Sequence, residues 1–373
     1  MKKYIVFFLL LICSVQSFTQ ESITWYDPSG FTSVIDGRGW QTGLANAYDR
    51  LPAKAEHTVR PEVWGLSHNS AGEYINFITD ANTIIVRYTV AGDKNMNHMP
   101  STGVSGVDLY AQDIQNNWHW SDGKYKFGDT ITYIFSNIAV SPAIKQFRLY
   151  LPLYNTPKWL QLGVAGNRSF SFIQQTKQPA IVLYGTSILQ GGCASRPGLA
   201  WSNILGRKLN TPVINLGFSG NGRLELPVIE LMNELNAALF VLDCQPNLTD
   251  SKIYSATEIE TRIRACVKSL QAAHPAIPVL LTEHCCGLTA VNVDTATINR
   301  YSRTSSVLNK TFYAMQKEGV KNIYLLTAGD IGFDMESTVD GTHPNDIGMM
   351  KYANAYTKKI TEIFSKQRGG ESK

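Results

Sequence analysis

From Ile23 to about Phe172 apolar and polar residues alternate with a period of two, and turn residues interrupt the alternation again and again. Ile84, Val86, Tyr88 and Val90 fall on one face of a strand. Ile131, Tyr133 and Phe135 share the face of a second, and Phe147, Leu149 and Leu151 that of a third, with Arg148 and Tyr150 opposite. Asp36-Gly37, Asp122-Gly123 and Gly128-Asp129 are turn signals, and no long helical period runs through this half. Many short strands at this spacing predict an antiparallel all-β sandwich or jelly roll over residues 22–175.

The polar stretch Gln174-Gln175-Thr176-Lys177-Gln178 ends that pattern, and a second half spans residues 176–366. Apolar runs at Ile181–Tyr184, Val213–Asn215, Ala238–Asp243, Val279–Thr282 and Asn322–Leu326 read as buried strands. Between and after them, amphipathic segments around Trp201–Leu209, Val228–Leu235, Ile259–Ala272, Ile298–Lys317 and Gly348–Phe364 read as helices. Strand and helix in alternation predict an α/β half, a parallel sheet with helices on both faces. At 373 residues each half is long enough for its own core.

Composition changes this picture little. The hydrophobic fraction of 44% with 17% charged residues is that of a globular chain. The net charge of +4 includes two leader lysines and forms no basic stripe, so no nucleic-acid partner is expected. Residues 1–20 read as a signal peptide, with Lys2-Lys3 ahead of an apolar core from Ile5 to Cys13 too short to span a bilayer. Cys13 offers a lipoprotein alternative, although Ile12 fits poorly the small residue that such processing prefers. No other stretch reads as transmembrane, so the expected location is exported, periplasmic or secreted. Cys193, Cys244, Cys266, Cys285 and Cys286 follow the leader, an odd count that leaves at least one thiol free. Cys193 and Cys244 both follow strands and could meet across a site. A domain of this size needs no staples, so buried free thiols are the expected state. No Cys/His spacing resembles a zinc site, and no metal or organic cofactor is expected.

The candidate chemistry lies in the second half. Ser187 follows the strand Ile181–Tyr184 on the small-residue turn Gly185-Thr186-Ser187, ahead of a helix. Asp340-Gly341-Thr342-His343 puts a carboxylate three residues before an imidazole, near the C-terminus. A serine hydroxyl becomes a good nucleophile when an imidazole takes its proton, and the imidazole needs a carboxylate to fix its tautomer. Ser187, Asp340 and His343 are therefore the candidate catalytic residues. His284 and His274 are rival bases and Asp334 a rival carboxylate. Two further segments, Asn215 to Gly220 and Asp243 to Asn247, lie just past strand C-termini, where open α/β sheets place their sites. The Ser187 and Gly220 N–H groups and the Asn247 side chain suit an oxyanion hole. Glu283, His284 and Arg196 are candidate substrate contacts. Trp118, Trp120 and Tyr125, with His119, are candidates for a sugar-stacking platform, against the more common role of aromatic side chains as core.

These blocks, in this order, resemble the SGNH (GDSL-type) hydrolase superfamily from about Pro179 to about Ile363. Gly-Thr-Ser stands where Gly-Asp-Ser is common, and Gln-Pro-Asn where Gly-x-Asn-Asp is common. Upstream, Gly106-Val107-Asp108-Leu109-Tyr110 resembles the Gly-x-Asp-Leu-Tyr signature of a β-rich domain that precedes some bacterial SGNH esterases. Arg50-Leu51-Pro52, Val63 to Ser67 and Ser70 to Gly72 fit the same group. The resemblance implies a flavodoxin-like hydrolase domain and an exported serine esterase that removes acetyl or other small acyl groups from a carbohydrate. Within the enzyme class the alternatives are a lipase, a thioesterase or an acyltransferase. Outside it, a glycan-binding protein would use the hydrolase fold as a scaffold. No long apolar lid segment favours long acyl chains.

Overall fold

The computed structural model describes residues 22–139, 144–175, 177–284, 287 and 295–370. Residues 1–21, with Cys13, and Cys285 and Cys286 lie outside the described residues. The first half builds two antiparallel sheets from β1 (Ile23–Tyr26), β2 (Ile35–Asp36), β3 (Tyr74–Thr79), β4 (Ile84–Val90), β5 (Asp108–Asp113), β6 (Trp118–Ser121), β7 (Lys124–Lys126), β8 (Ile131–Phe135), β9 (Ile144–Tyr150), β10 (Pro157–Ala165) and β11 (Phe170–Phe172). One sheet runs β1-β10-β4-β8-β7, the other β11-β3-β9-β5-β6 with β2 against β3. The alternating residues Ile84, Val86, Tyr88, Ile131, Tyr133, Phe135, Phe147 and Leu149 fill one core, as a strand that buries one face requires. Two short helices, α1 (Pro61–Ser67) and α2 (Ser101–Val104), interrupt the strands.

The second half places five parallel strands, β12 (Ala180–Gly185), β13 (Val213–Gly217), β14 (Ala237–Asp243), β15 (Val279–Thr282) and β16 (Ile323–Leu326), in the order β13-β12-β14-β15-β16. The helices are α3 (Ser187–Gln190), α4 (Trp201–Leu209), α5 (Leu226–Met232), α6 (Ala256–Ala273), α7 (Thr295–Lys317), α8 (Ala328–Ile331) and α9 (Asp346–Gly370). Val182, Tyr184, Phe240 and Leu242 face α5, α6 and α7; Ile181, Leu183, Val241 and Leu280 face α4 and α9. Strand order reverses at β12, with β13 on one side and β14 on the other, and such a reversal opens a crevice at the strand C-termini.

The sandwich has its own core, and the cores on both faces of the parallel sheet also take in side chains from the first half. Leu51, Ala55, Val59 and Val63 pack under β12, β13 and β14, and Met99, Val104 and Leu153 join the core on the other face. Tyr150, expected opposite the sandwich core, is buried as well, because that outer face of the sheet is covered by the second half. Arg50 is fully buried and donates to the carbonyls of Leu66 and Asn69 in its own half and of Asn215 and Gly217 in the other. A buried guanidinium is tolerable only when its donors are largely satisfied, and these four carbonyls take four of its five N–H groups. Nearby Glu73 is also fully buried. Desolvation pushes its carboxyl up to about 7, while Arg38 and Arg50 pull it down. Cys193, Cys244 and Cys266 are buried free thiols, so Cys193 and Cys244 do not pair. Burial pushes the Cys193 thiol up to about 12. Among the described residues no helix is long and apolar enough to cross a membrane.

Candidate active site

In the sheet register Gly185 lies beside Gly217 of β13 and beside Asp243 of β14. Ser187, Gly220 and Asn247 therefore follow three neighbouring strand ends by two, three and four residues. Thr186 caps α3, its hydroxyl accepting from the Ile188 N–H, and Ser187 is the first helical residue. At that position an N–H has no partner within the helix. Close packing fixes the turn: a Cβ on Gly222 would lie 2.1 Å from the Gly185 carbonyl oxygen, which only glycine avoids.

Ser187 is 7% exposed. Its Oγ is 2.8 Å from His343 Nε2, and His343 Nδ1 is 2.7 Å from Asp340 Oδ2. The other carboxylate oxygen, Asp340 Oδ1, accepts the backbone N–H groups of Thr342 and His343 at 3.0 and 2.7 Å. The spacing of Asp and His within one tight loop thus lets the carboxylate fix both the loop and the ring. Desolvation raises the Asp340 carboxyl, but the N–H groups and ring of His343 outweigh it and hold the group below its ordinary value.

Gly220 has φ +70°, open space around its Cα, and an N–H with no acceptor among the described residues. The preceding Ser219 N–H is held by Gln190 Oε1 at 2.9 Å. Asn247 accepts the Gly222 N–H through Oδ1 at 3.1 Å, and its Nδ2 has no acceptor among the described residues. The arrangement can abstract the hydroxyl proton of Ser187 and offer backbone and amide donors on the adjoining loops.

The remaining candidates fall elsewhere. Glu283 accepts from Asn309 Nδ2 through Oε1 and from the Ala328 N–H through Oε2, tying β15 to α7 and α8. His284 is buried against Tyr301, whose hydroxyl meets Thr342 Oγ1 at 2.8 Å, so it backs the His343 loop. Burial pushes His284 down to about 3, with His343 adding to the effect. Arg196 is held by Asp108 and Tyr110 with its guanidinium over Trp120. His274 meets the Asn233 carbonyl, and Asp334 binds Ser337 and Lys351. The aromatic group splits. Trp118 is covered by Arg148, whereas Trp120 and Tyr125 are 50% and 55% exposed. Among the described residues no three His, Cys, Asp or Glu side chains gather as metal ligands. Sequence reasoning missed Tyr154, which donates to the Ser187 carbonyl at 3.0 Å, and Gln190. Neither carries a local signal, since each reaches its partner across the fold. His98, on a loop of the sandwich half, brings its exposed ring within 5.7 Å of the His343 ring.

Residues 178–361 match the GDSL-like lipase/acylhydrolase family, and residues 23–170 match the Gly-x-Asp-Leu-Tyr N-terminus of SGNH-type esterases. A GDSL-like lipase from Bacteroides ovatus is 30% identical, covers 92% of this chain and 98% of its own, and superposes with a TM-score of 0.82. The chain belongs to this family of ester hydrolases. The salicylyl-acyltransferase SsfX3 from a tetracycline biosynthetic pathway is 18% identical over 91% of this chain and 97% of its own, with a TM-score of 0.70. A family two carbohydrate esterase from Cellvibrio japonicus is 13% identical over 92% and 99%, with a TM-score of 0.52. These two show the fold alone. No curated protein matches the chain.

Proposed function

We propose that the protein is an exported serine esterase that removes acetyl or similarly small acyl groups from a carbohydrate. The observation that carries this is the continuous line from Ser187 Oγ through His343 to Asp340. As Ser187 Oγ attacks the acyl carbon, its proton passes to His343 Nε2, and Asp340 stabilises the imidazolium. The tetrahedral oxyanion is held by the Ser187 and Gly220 N–H groups and by Asn247 Nδ2. His343 then gives its proton to the leaving sugar oxygen as the acyl C–O bond breaks, which frees the sugar hydroxyl and leaves an acyl-enzyme. Water attacks in turn, passing a proton to His343, which returns it to Ser187 as the acid leaves.

The carbohydrate part rests on three supports: the signal-like leader, the carbohydrate esterase of like fold, and the exposed His98 ring that the sandwich half brings beside His343. The test is acetate release from acetylated polysaccharides, with Ser187→Ala as control. The wild type should release acetate, and the variant should be slower by at least about three orders of magnitude. More than roughly a tenth of wild-type activity in the variant removes Ser187 from the mechanism, given that expected loss. Hydrolysis of p-nitrophenyl acetate without acetate release from any glycan would move the substrate to another acyl ester.

A further inference from the structure

Between the nucleophile helix and α4 the chain makes a loop, Cys193 to Gly198, that is held on two sides. On one side is the sandwich. Asp108, 3% exposed, accepts through Oδ2 from Arg196 Nη1 and from the Gly198 N–H at 2.9 Å, and through Oδ1 from Trp120 Nε1 at 2.6 Å. The approach is so close that a Cβ on Gly198 would lie 2.4 Å from the Tyr110 ring. Thr102 Oγ1 adds a bond to the Ser195 carbonyl at 2.7 Å. On the other side is the chain that follows the imidazole. The Ser195 N–H and Oγ donate to the two oxygens of Asp346 at 2.9 and 2.6 Å, and the Cys193 N–H donates to the Pro344 carbonyl at 2.9 Å. Pro344 and Asp346 lie one and three residues beyond His343.

We propose that Asp108, the acid of the Gly-x-Asp-Leu-Tyr signature, is a positioning residue for His343, acting through the loop that carries Ser195. The inference rests on the esterase reading of Ser187 and His343. The local contacts of the His343 loop are to Asp340 and Thr338, and these fix the ring within its loop. The Tyr301 hydroxyl on Thr342 and the Gly287 N–H on the Gly341 carbonyl hold the loop from behind, and the bracket holds it on the side of the Ser187 helix. Cys193 and Ser195 hold its C-terminal side, and the signature acid holds the bracket. Substrate touches none of these groups in the mechanism above, so loosening them should slow proton transfer without weakening binding. A displacement of about 1 Å in such a constellation costs up to about a hundredfold in rate.

The experiment uses the full chain with p-nitrophenyl acetate and measures kcat, KM and thermal midpoint for Asp108→Asn, Ser195→Ala, Ser195→Thr and Ser187→Ala. Asp108→Asn removes the charge that Arg196 meets. Ser195→Ala removes one of the Asp346 bonds at a half-buried loop position, so it decides the matter if Asp108→Asn does not fold. Both should lower kcat by roughly tenfold or more with KM within about twofold, the signature of an interaction made in the transition state. Ser195→Thr keeps the hydroxyl and should recover most of the rate. Wild-type kcat in Asp108→Asn and Ser195→Ala, beside an inactive Ser187→Ala, overturns the positioning role alone, and so does a fall in thermal midpoint without a fall in kcat. An active Ser187→Ala overturns the esterase reading and the positioning role with it.

Discussion

Asp243→Asn should stabilise the protein at alkaline pH and leave it nearly unchanged in acid. Asp243 ends β14, is 4% exposed, and has the Tyr356 hydroxyl as a donor to Oδ2 at 3.0 Å. Desolvation pushes its carboxyl from the ordinary 3.8 to about 7, and the Tyr356 bond only partly opposes this. The folded chain thus keeps a proton on Asp243 in the window between about pH 4 and pH 7, where an unfolded aspartate has released it. Folding is favoured by that proton below pH 4, and the contribution is lost as pH rises through about 7. A difference of about three pH units at 1.36 kcal/mol each amounts to about 4 kcal/mol. Asparagine keeps the shape and an acceptor for Tyr356 and has no proton to lose. Urea unfolding followed by tryptophan fluorescence, at steps from pH 4.5 to 8.5, should show the variant gaining on the wild type by up to about 4 kcal/mol as pH rises, with the same m-value. Asp36 and Glu73 are buried and raised as well, but they are common to both proteins and cancel in the difference. A gap that does not change with pH, or one that favours the wild type more at pH 8, would refute the argument.

Asn247→Ala should lower kcat by about 10²–10³ with a smaller change in KM, the usual cost of one oxyanion donor; a pure KM effect would reassign the side chain to substrate binding. His98→Ala should raise KM on an acetylated glycan several-fold and leave p-nitrophenyl acetate nearly untouched, since the small ester does not reach the rim; equal losses on both would place His98 in the chemistry. Activity should survive EDTA, and a loss that zinc or calcium restores would contradict the metal-free mechanism. A chain beginning at Pro179 should not give a cooperative fold, because Leu51, Ala55, Val59 and Val63 would be missing from its core. A sharp thermal transition in that fragment would show that its core closes without them.

The periodic parts of the fold were legible in the sequence. A strand buried on both faces, such as Ile181–Tyr184, is an uninterrupted apolar run, and the 3.6-residue period of Trp201–Leu209 survives into the helix unchanged. Ser187, Asp340 and His343 stand out because each sits at a fixed offset from a strand end or from one another. The shared core did not stand out. The residues from Leu51 to Val63 contribute four apolar side chains four residues apart, but Pro52 and Pro61 split them over two short turns, so no continuous helix marks them. Arg50 entered only within a family resemblance that gave it no role, and Gln190 and Asp346 were silent. A lone polar residue whose partners lie across the fold looks in sequence like any surface residue, and only the closed structure shows that it is satisfied.

The bonds from Arg50 to Asn215 and Gly217 span 165 and 167 residues. At a synthesis rate of about 5–20 residues per second, Arg50 exists for roughly 10–30 s before its last two acceptors are made. Through that interval the apolar side chains from Leu51 to Val63 have no sheet to cover, and the guanidinium must stay in water. Time itself therefore becomes a constraint on this chain. Its first half waits, open along one edge, for a partner still on the ribosome, and contacts of such long separation make the final closure slow.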